Sequence, residues 1–252
     1  MQYEFGSGVL WGIPKQSLTG STITVPTPVL FGAIQDVTID IAWTKKELFG
    51  MYQFPLAVAR GTAKIDCKAK SAALSAGLFN LIFGETLSTG EIKGAFQEAG
   101  TIPGSSSYVV TVTNSANFVT DLGVTYALTG LPMTRVSGSP AAAGEYSVTS
   151  GVYTFHADDK SLGVLISYTY TSSAAPGKNF TINNQLLGQA PIFQVVLNQS
   201  YQGNIQNIQL FSCMSTKLTL ATKLEDFMIP EFDFSAFANS AQQVGSISLA
   251  MP

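Results

Sequence analysis

Strict alternation of apolar and polar residues marks the first regular element of the chain. In the run Val37-Thr38-Ile39-Asp40-Ile41-Ala42-Trp43, Val37, Ile39, Ile41 and Trp43 fall on one side, and Asp36, Thr38 and Asp40 on the other. A period of two belongs to a β-strand with one buried face and one wet face. A second alternating run, Ala63-Lys64-Ile65-Asp66-Cys67-Lys68-Ala69-Lys70, sets a small apolar face against a charged one. Between the two lies a long connection, Thr44 to Arg60, which reads as a loop. The period then changes. Leu74, Leu78, Phe79 and Ile82 recur at helical spacing and predict a short helix over Ser71 to Phe83. Ser71 can cap its start and Gly84 can end it.

Elsewhere the pattern is broken more often. Residues 1–32 carry Gly or Pro too frequently for long regular structure and read as an arm. Its Val9, Leu10, Trp11, Val29, Leu30 and Phe31 require that the arm pack on something. At Thr101-Ile102-Pro103-Gly104-Ser105 the texture shifts to many short strand patterns, the clearest being Leu165 to Thr171. Ser150-Gly151 reads as a hairpin turn, and Asp158-Asp159-Lys160-Ser161 as a solvated turn. A second Ser/Pro/Gly stretch, Thr171 to Gly177, closes this segment. The chain therefore divides into a body, 1–100 with 174–252, and an inserted domain, 101–173. In the second half of the body, Asn179 to Leu187, Ile192 to Tyr201, Ile205 to Cys213, Leu218 to Lys223 and Val244 to Leu249 read as strands. Pro230 places the segment around it at a sheet edge, and Ser235 to Ala241 reads as a short helical turn. The fold class is mainly β: a β-sandwich body with one short flanking helix, plus a small β-sandwich-like insert.

Composition sharpens this. The 252 residues are 46% hydrophobic and only 12% charged, against a usual charged share of about 25%. Desolvating charge at an interface is costly, so a charge-poor surface suits a chain covered by copies of itself. A net charge of −3 gives no basic footprint for tight nucleic-acid binding. The start of the chain has neither the positive segment nor the apolar run of a secretion signal, and no apolar run is long enough for a spanning helix. Cys67 and Cys213 are expected as reduced, buried thiols.

The residues offer little chemistry. The one histidine, His156, lies in a turn without a nucleophile and orienting group at triad geometry. Asp158-Asp159 lacks the further oxygen ligands that calcium needs. One histidine and two distant cysteines do not make a zinc site. No Gly-x-Gly-x-x-Gly, Walker lysine or Gly-x-Ser-x-Gly pattern occurs. No catalytic, cofactor-binding or metal-binding residue is expected, and the chain does not read as an enzyme. Lys64, Lys68 and Lys70 form a basic strip, but Asp66 interrupts it and Asp36 and Asp40 stand on the neighbouring strand, so cross-strand ion pairs are expected.

Three passages bear a family resemblance. They are Tyr3-Glu4-Phe5-Gly6-Ser7-Gly8; Lys46-Glu47-Leu48-Phe49-Gly50 through Gln53-Phe54-Pro55 to Arg60-Gly61-Thr62-Ala63-Lys64-Ile65; and Lys223-Leu224-Glu225-Asp226-Phe227 with Pro230-Glu231-Phe232-Asp233-Phe234. Through them the chain resembles the tail tube (major tail) proteins of tailed bacteriophages. The middle segment resembles a module of phage structural proteins, through Gly144-Glu145-Tyr146-Ser147-Val148, Gly151-Val152-Tyr153-Thr154-Phe155 and Ile166-Ser167-Tyr168-Thr169-Tyr170. The resemblance implies a virion protein of the tail, assembled in the host cytoplasm. Six copies would form a ring whose strands close into an inner barrel, and rings would stack into a tube through which DNA passes without specific binding. Its partners would be itself and other tail proteins (terminator, baseplate, in some tails a sheath), with no membrane and no cofactor. In such proteins a long loop between two early strands reaches the adjacent ring. Here the ring-stacking candidates are Lys45, Lys46, Glu47, Leu48, Phe49, Tyr52, Phe54 and Pro55. The candidate channel face bears Asp36, Asp40, Lys64, Asp66 and Lys68, because a conduit for a polyanion should avoid the affinity that dense Lys/Arg supplies. The insert, absent from the minimal family pattern, would stand on the tube's exterior. Two alternatives are another virion component (decoration, baseplate or capsid-associated) and a carbohydrate-binding module using Trp11, Trp43 and the tyrosines as platforms. Alternation with apolar neighbours favours a core position for Trp43.

Overall fold

The two alternating runs pair as antiparallel neighbours, Ile34–Phe49 and Pro55–Ser71, with Val37 opposite Ala69 and Ile39 opposite Cys67. The computed structural model describes residues 6–73, 75–172 and 177–249. The opening Tyr3-Glu4-Phe5, Leu74 of the helical stripe and residues 173–176 of the second hinge lie outside the described residues. The chain is mainly β, with largely antiparallel sheets and one α-helix among the described residues. It forms two compact units, 1–87 with 180–252, and 88–179.

The first unit holds an eight-stranded sheet. In spatial order the strands are Val29–Leu30, Val9–Gln16, Ile192–Tyr201, Asn204–Thr219, Glu231–Ala236, Pro55–Ser71 and Ile34–Phe49, and Gly245–Leu249 also pairs with Asn204–Thr219. The arm is thus in part a sheet member. Val9–Gln16 pairs along its length with Ile192–Tyr201. A Cβ on Gly12 would lie 2.1 Å from Leu81 Cδ2 and 2.9 Å from Phe31 Cε2, so this glycine permits close helix-to-strand packing. Pro14 sits beside a register shift, where a missing N–H is tolerated. Glu231–Ala236 is an interior strand with partners on both sides. Pro230 precedes it and its carbonyl accepts a hydrogen bond from Ser71 N–H, 3.1 Å away.

One face of this sheet is apolar. Leu10, Cys67, Ala69, Phe193, Val195, Leu210, Phe232 and Phe234 are buried there. The sheet curls, because Phe31, next to one edge strand, meets Phe232 of an interior strand with ring centroids 5.9 Å apart. The helix Ala76–Phe83 closes this face with Leu78, Leu81 and Ile82. Eight residues are too few for a stable isolated helix; burying three aliphatic side chains contributes about 2 kcal/mol each. The helix starts later than its stripe predicts. Ser75 is the cap, accepting from Leu78 N–H, and Gly84 ends it at φ 67°. Ser71 is instead buried at a strand end, where its hydroxyl donates to the Phe31 carbonyl at 2.7 Å. Asn179 to Leu187 is not a strand beyond Asn179, and Ser235 to Ala241 forms no helix. In both segments local composition lacked the neighbouring strand or cap that decides the outcome.

The second unit is a two-sheet sandwich. A three-stranded sheet (Glu91–Thr101, Gly163–Ser172, Phe118–Tyr126) and a four-stranded sheet (Val109–Thr111, Val152–Phe155, Glu145–Thr149, Thr134–Arg135) enclose one core. It begins at 88 rather than 101, since Glu91–Thr101 pairs with Gly163–Ser172 across the supposed boundary. Ser150-Gly151 turns the hairpin with both φ angles positive, 48° and 76°, as the tight hairpin turn requires. Its core tyrosines end on carboxylates. Tyr146 and Tyr153 donate to Asp121 at 2.8 and 2.9 Å, Tyr168 to Glu98 at 2.6 Å, and Tyr126 to Asp159 at 2.7 Å. Asp159 is therefore buried rather than solvated as its turn composition predicts.

Candidate functional site

Thr44 to Arg60 is not a loop. It is the distal half of the hairpin, whose strands run to Phe49 and resume at Pro55, leaving a turn of only 50–54. The next strand, Glu231–Ala236, supports the hairpin only as far as Ile65. Ten residues of the second strand, 55–64, therefore extend past that support, about 33 Å at the strand rise. Nine large apolar side chains on 41–64 are exposed, from Ile41 at 40% to Tyr52 at 75%, Phe54 at 82% and Met51 at 88%. An isolated two-stranded ribbon is marginally stable in water, and one displaying this much apolar surface marks an interface.

The ring-stacking candidates Lys45, Lys46, Glu47, Leu48, Phe49, Tyr52, Phe54 and Pro55 all lie on this extension, and all but half-buried Pro55 are exposed. Lys45 pairs with Glu47. Sequence reading missed Met51, Leu56, Val58 and Arg60, which share it. The signal was present, since 48–59 is an unbroken run of twelve uncharged residues. Trp43 is here too, half-exposed rather than in the core. The Arg60 guanidinium lies 4.7 Å from its ring centroid, a cation–π contact that occupies a face a sugar would need. A bulge sets the side-chain directions. Thr44 faces both Gly61 and Thr62 and bonds to Thr62. A Cβ on Gly61 would lie 2.4 Å from Thr44 Oγ1. Beyond the bulge neither face is purely polar.

The channel-face candidates Asp36, Asp40, Lys64, Asp66 and Lys68 are exposed and share the side of the sheet opposite the core. Asp40 faces Asp66 directly. Lys64 at 2.8 Å and the Ser235 hydroxyl at 2.9 Å relieve that pair, and they hold the Asp66 carboxyl below its ordinary range. The cross-strand contact of this strip is Lys68 to Glu231, at 3.7 Å. Acidic and basic groups are thus mixed on this face, with Asp36 opposite Lys70 and Asp66 between Lys64 and Lys68, so that no unbroken basic track forms. Beneath it, burial pushes the Cys67 thiol up to about 12 and the Cys213 thiol higher still, so both are inert, unpaired core groups.

A separate concavity of about 770 Å³ is lined by Lys15, Gln194, Phe211, Phe237 and Asn239 among others, and Lys15 is its one titratable residue. His156 is half-buried, accepts from Asp158 N–H and faces the Asp158 carboxylate at 3.4 Å. Among the described residues no group of three or more His, Cys, Asp or Glu is placed to hold a metal ion, and no helix is long and apolar enough to cross a membrane. Compared with protein-family models and with characterised proteins, the chain matches none.

Proposed function

We propose that this chain is a self-assembling structural subunit of a bacteriophage tail tube, built from stacked hexameric rings through which DNA is ejected. The observation that carries the reading is the hairpin: about 33 Å of ribbon whose nine exposed large apolar side chains have no cover within their own unit. Aromatic side chains each bring about 150–250 Å² to an interface. Four aromatics with five aliphatic or Met side chains therefore approach the roughly 800 Å² per partner of a standard specific contact. Charge agrees. Lys45, Lys46, Arg60 and Lys64 against Glu47 alone give residues 41–64 a net charge of +3, in a chain whose total is −3. A basic apolar arm on an otherwise acidic chain favours docking on another copy.

The same sheet supplies a conduit wall in this reading. Its non-core side mixes Asp36, Asp40 and Asp66 with Lys64 and Lys68, so a passing polyanion meets few uncompensated cations to bind and release. Strands closing into a ring would also cover the free outer edge of Ile34–Phe49, otherwise a template for aggregation. The carbohydrate-platform alternative loses support from Arg60 lying over Trp43.

Electron microscopy of the purified protein tests the reading. Rings or tubes of sixfold symmetry are expected. A monodisperse monomer retained on glycan columns would overturn it.

A further inference from the structure

Resting on the assembly reading, we propose that the hairpin tip of one copy seats in the groove beside the helix of another copy. The groove is about 480 Å³, lined by Ile82, Phe83, Ile182, Leu218 and Leu220 with Lys217. A smaller hollow of about 160 Å³ continues it past Ile82, Phe83 and Ile182 to Leu18 and Pro191. Together they offer room for the two or three aromatic side chains at the tip.

The groove is built rather than incidental. Its outer wall, the irregular segment after Phe180, is held by one carboxylate. Glu85 accepts from Asn183 Nδ2 at 2.9 Å, Gln185 Nε2 at 2.7 Å and Asn183 N–H at 3.4 Å. Those hydrogen bonds, the Asn183 side chain first, hold Glu85 below the ordinary carboxylate range. Phe180 stacks on Phe79 and Phe83 at 4.7 and 5.8 Å between centroids. The clamped wall nevertheless leaves Ile182, Leu186 and Leu187 open to water, Leu187 fully so. On the other side Leu220 is half-exposed, and the segment leaving it presents Leu224 and Phe227 almost bare. A rigidly held apolar rim is a docking surface with its ordering cost already met.

The occupant follows from two-part complementarity. The tip, 48–59, is uncharged, and the groove sets Ile82, Phe83, Ile182, Leu218 and Leu220 against a short polar stretch, Ser215 to Lys217. The shank of the hairpin is basic, Glu85 lines the smaller hollow, and the segment that leaves Leu220 carries the exposed Glu225 and Asp226, which pairs with Lys223 at 3.2 Å. Tip meets groove and shank meets rim, a heterologous contact that propagates from copy to copy. Within one copy the tip is not seated in its own groove, since Tyr52 and Phe54 at the tip and Ile182 on the groove wall are all exposed.

Complementation of two variants tests this. One loses the tip, Phe49→Ser with Tyr52→Ser and Phe54→Ser; the other loses the groove, Ile182→Ser with Leu220→Ser. All five side chains are exposed, so both should keep the native far-ultraviolet spectrum and melting temperature. Each alone should stop at single rings, and an equal mixture should form two-ring stacks, since one ring keeps its tips and the other its grooves. A Met51→Cys copy mixed with a Leu220→Cys copy should also cross-link under oxidation, while buried Cys67 and Cys213 stay out. If the groove variant stacks like the unaltered protein, or the mixture gains no association, the groove assignment falls while the assembly reading stands. If the unaltered protein itself never assembles, both fall.

Discussion

In the unit spanning 88–179, Tyr146, Tyr153, Phe155 and Tyr168 are at most 2% exposed, and four tyrosine hydroxyls end on carboxylates. In the hairpin spanning 41–64, nine large apolar side chains face water and the backbone bonds only within the ribbon. The first region encloses a core of its own, although Phe96 and Leu128 stay exposed on its surface. The second encloses none. Two β regions of one chain differ in whether apolar side chains find partners inside the unit, and the proposed assembly would supply partners for the second. That difference separates a region whose side chains report on folding from one whose side chains report on association.

The largest expected effect on stability is in the sandwich. Asp121→Ala removes the acceptor of two buried hydroxyls, and each orphaned group costs about 1–3 kcal/mol. Calorimetry should show the transition of the 88–179 unit lost or lowered, with the other transition unmoved. Gly12→Ala should act in the opposite unit. Its methyl would need Leu81 and Phe31 to retreat, an overpacking cost of about 1–3 kcal/mol, read as a lower melting temperature of the eight-stranded sheet.

A smaller effect comes from pH. Burial pushes Glu98 up, but hydrogen bonds from Tyr168 and Thr113 outweigh it and hold the carboxyl below its usual range. A depressed folded value means that this stabilisation is present above the unfolded carboxyl value, about 4.3, and is lost as pH falls through the folded value. The sandwich should therefore weaken in that acid window, and Glu98→Gln should flatten the dependence. In alkali, Tyr126 is pushed up to about 12 by burial and by Asp159. Its contribution is present below the unfolded value near 10 and fades as pH rises toward 12. Tyrosinate absorbance against pH checks this.

These regions also differ in how much of them the sequence discloses. Ile192–Tyr201 is legible to the residue because its apolar, β-branched-rich run is bounded by Pro191 and by Gln202-Gly203. The hairpin's distal half was hidden because the Thr44 bulge resets the period and apolar side chains then occupy both faces. Val9–Gln16 was hidden by Gly12 and Pro14, whose reasons are a helix side chain and a register shift that local reading does not contain. Composition placed a boundary at 101, yet strand pairing carried Glu91–Thr101 into the sandwich, because hydrogen bonds to Gly163–Ser172 outweigh a change in local texture. The assembly candidates lay close together in sequence and the structure keeps them on one ribbon. The helix-side groove, drawn from 82–83, 182 and 215–220, has no sequence signature because its walls are far apart along the chain.

The smallest expected effect on folding belongs to the hairpin, and there the comparison is most exposed to refutation. Replacing Phe49, Tyr52 and Phe54 with Ser removes only exposed side chains, so monomer stability should change by no more than about 0.5 kcal/mol. The measurement that decides is the length distribution of assemblies formed by this variant, by electron microscopy beside the unaltered protein at equal concentration. The account predicts folded subunits that no longer stack, with no tube longer than a single ring. Tubes of unchanged length would contradict it.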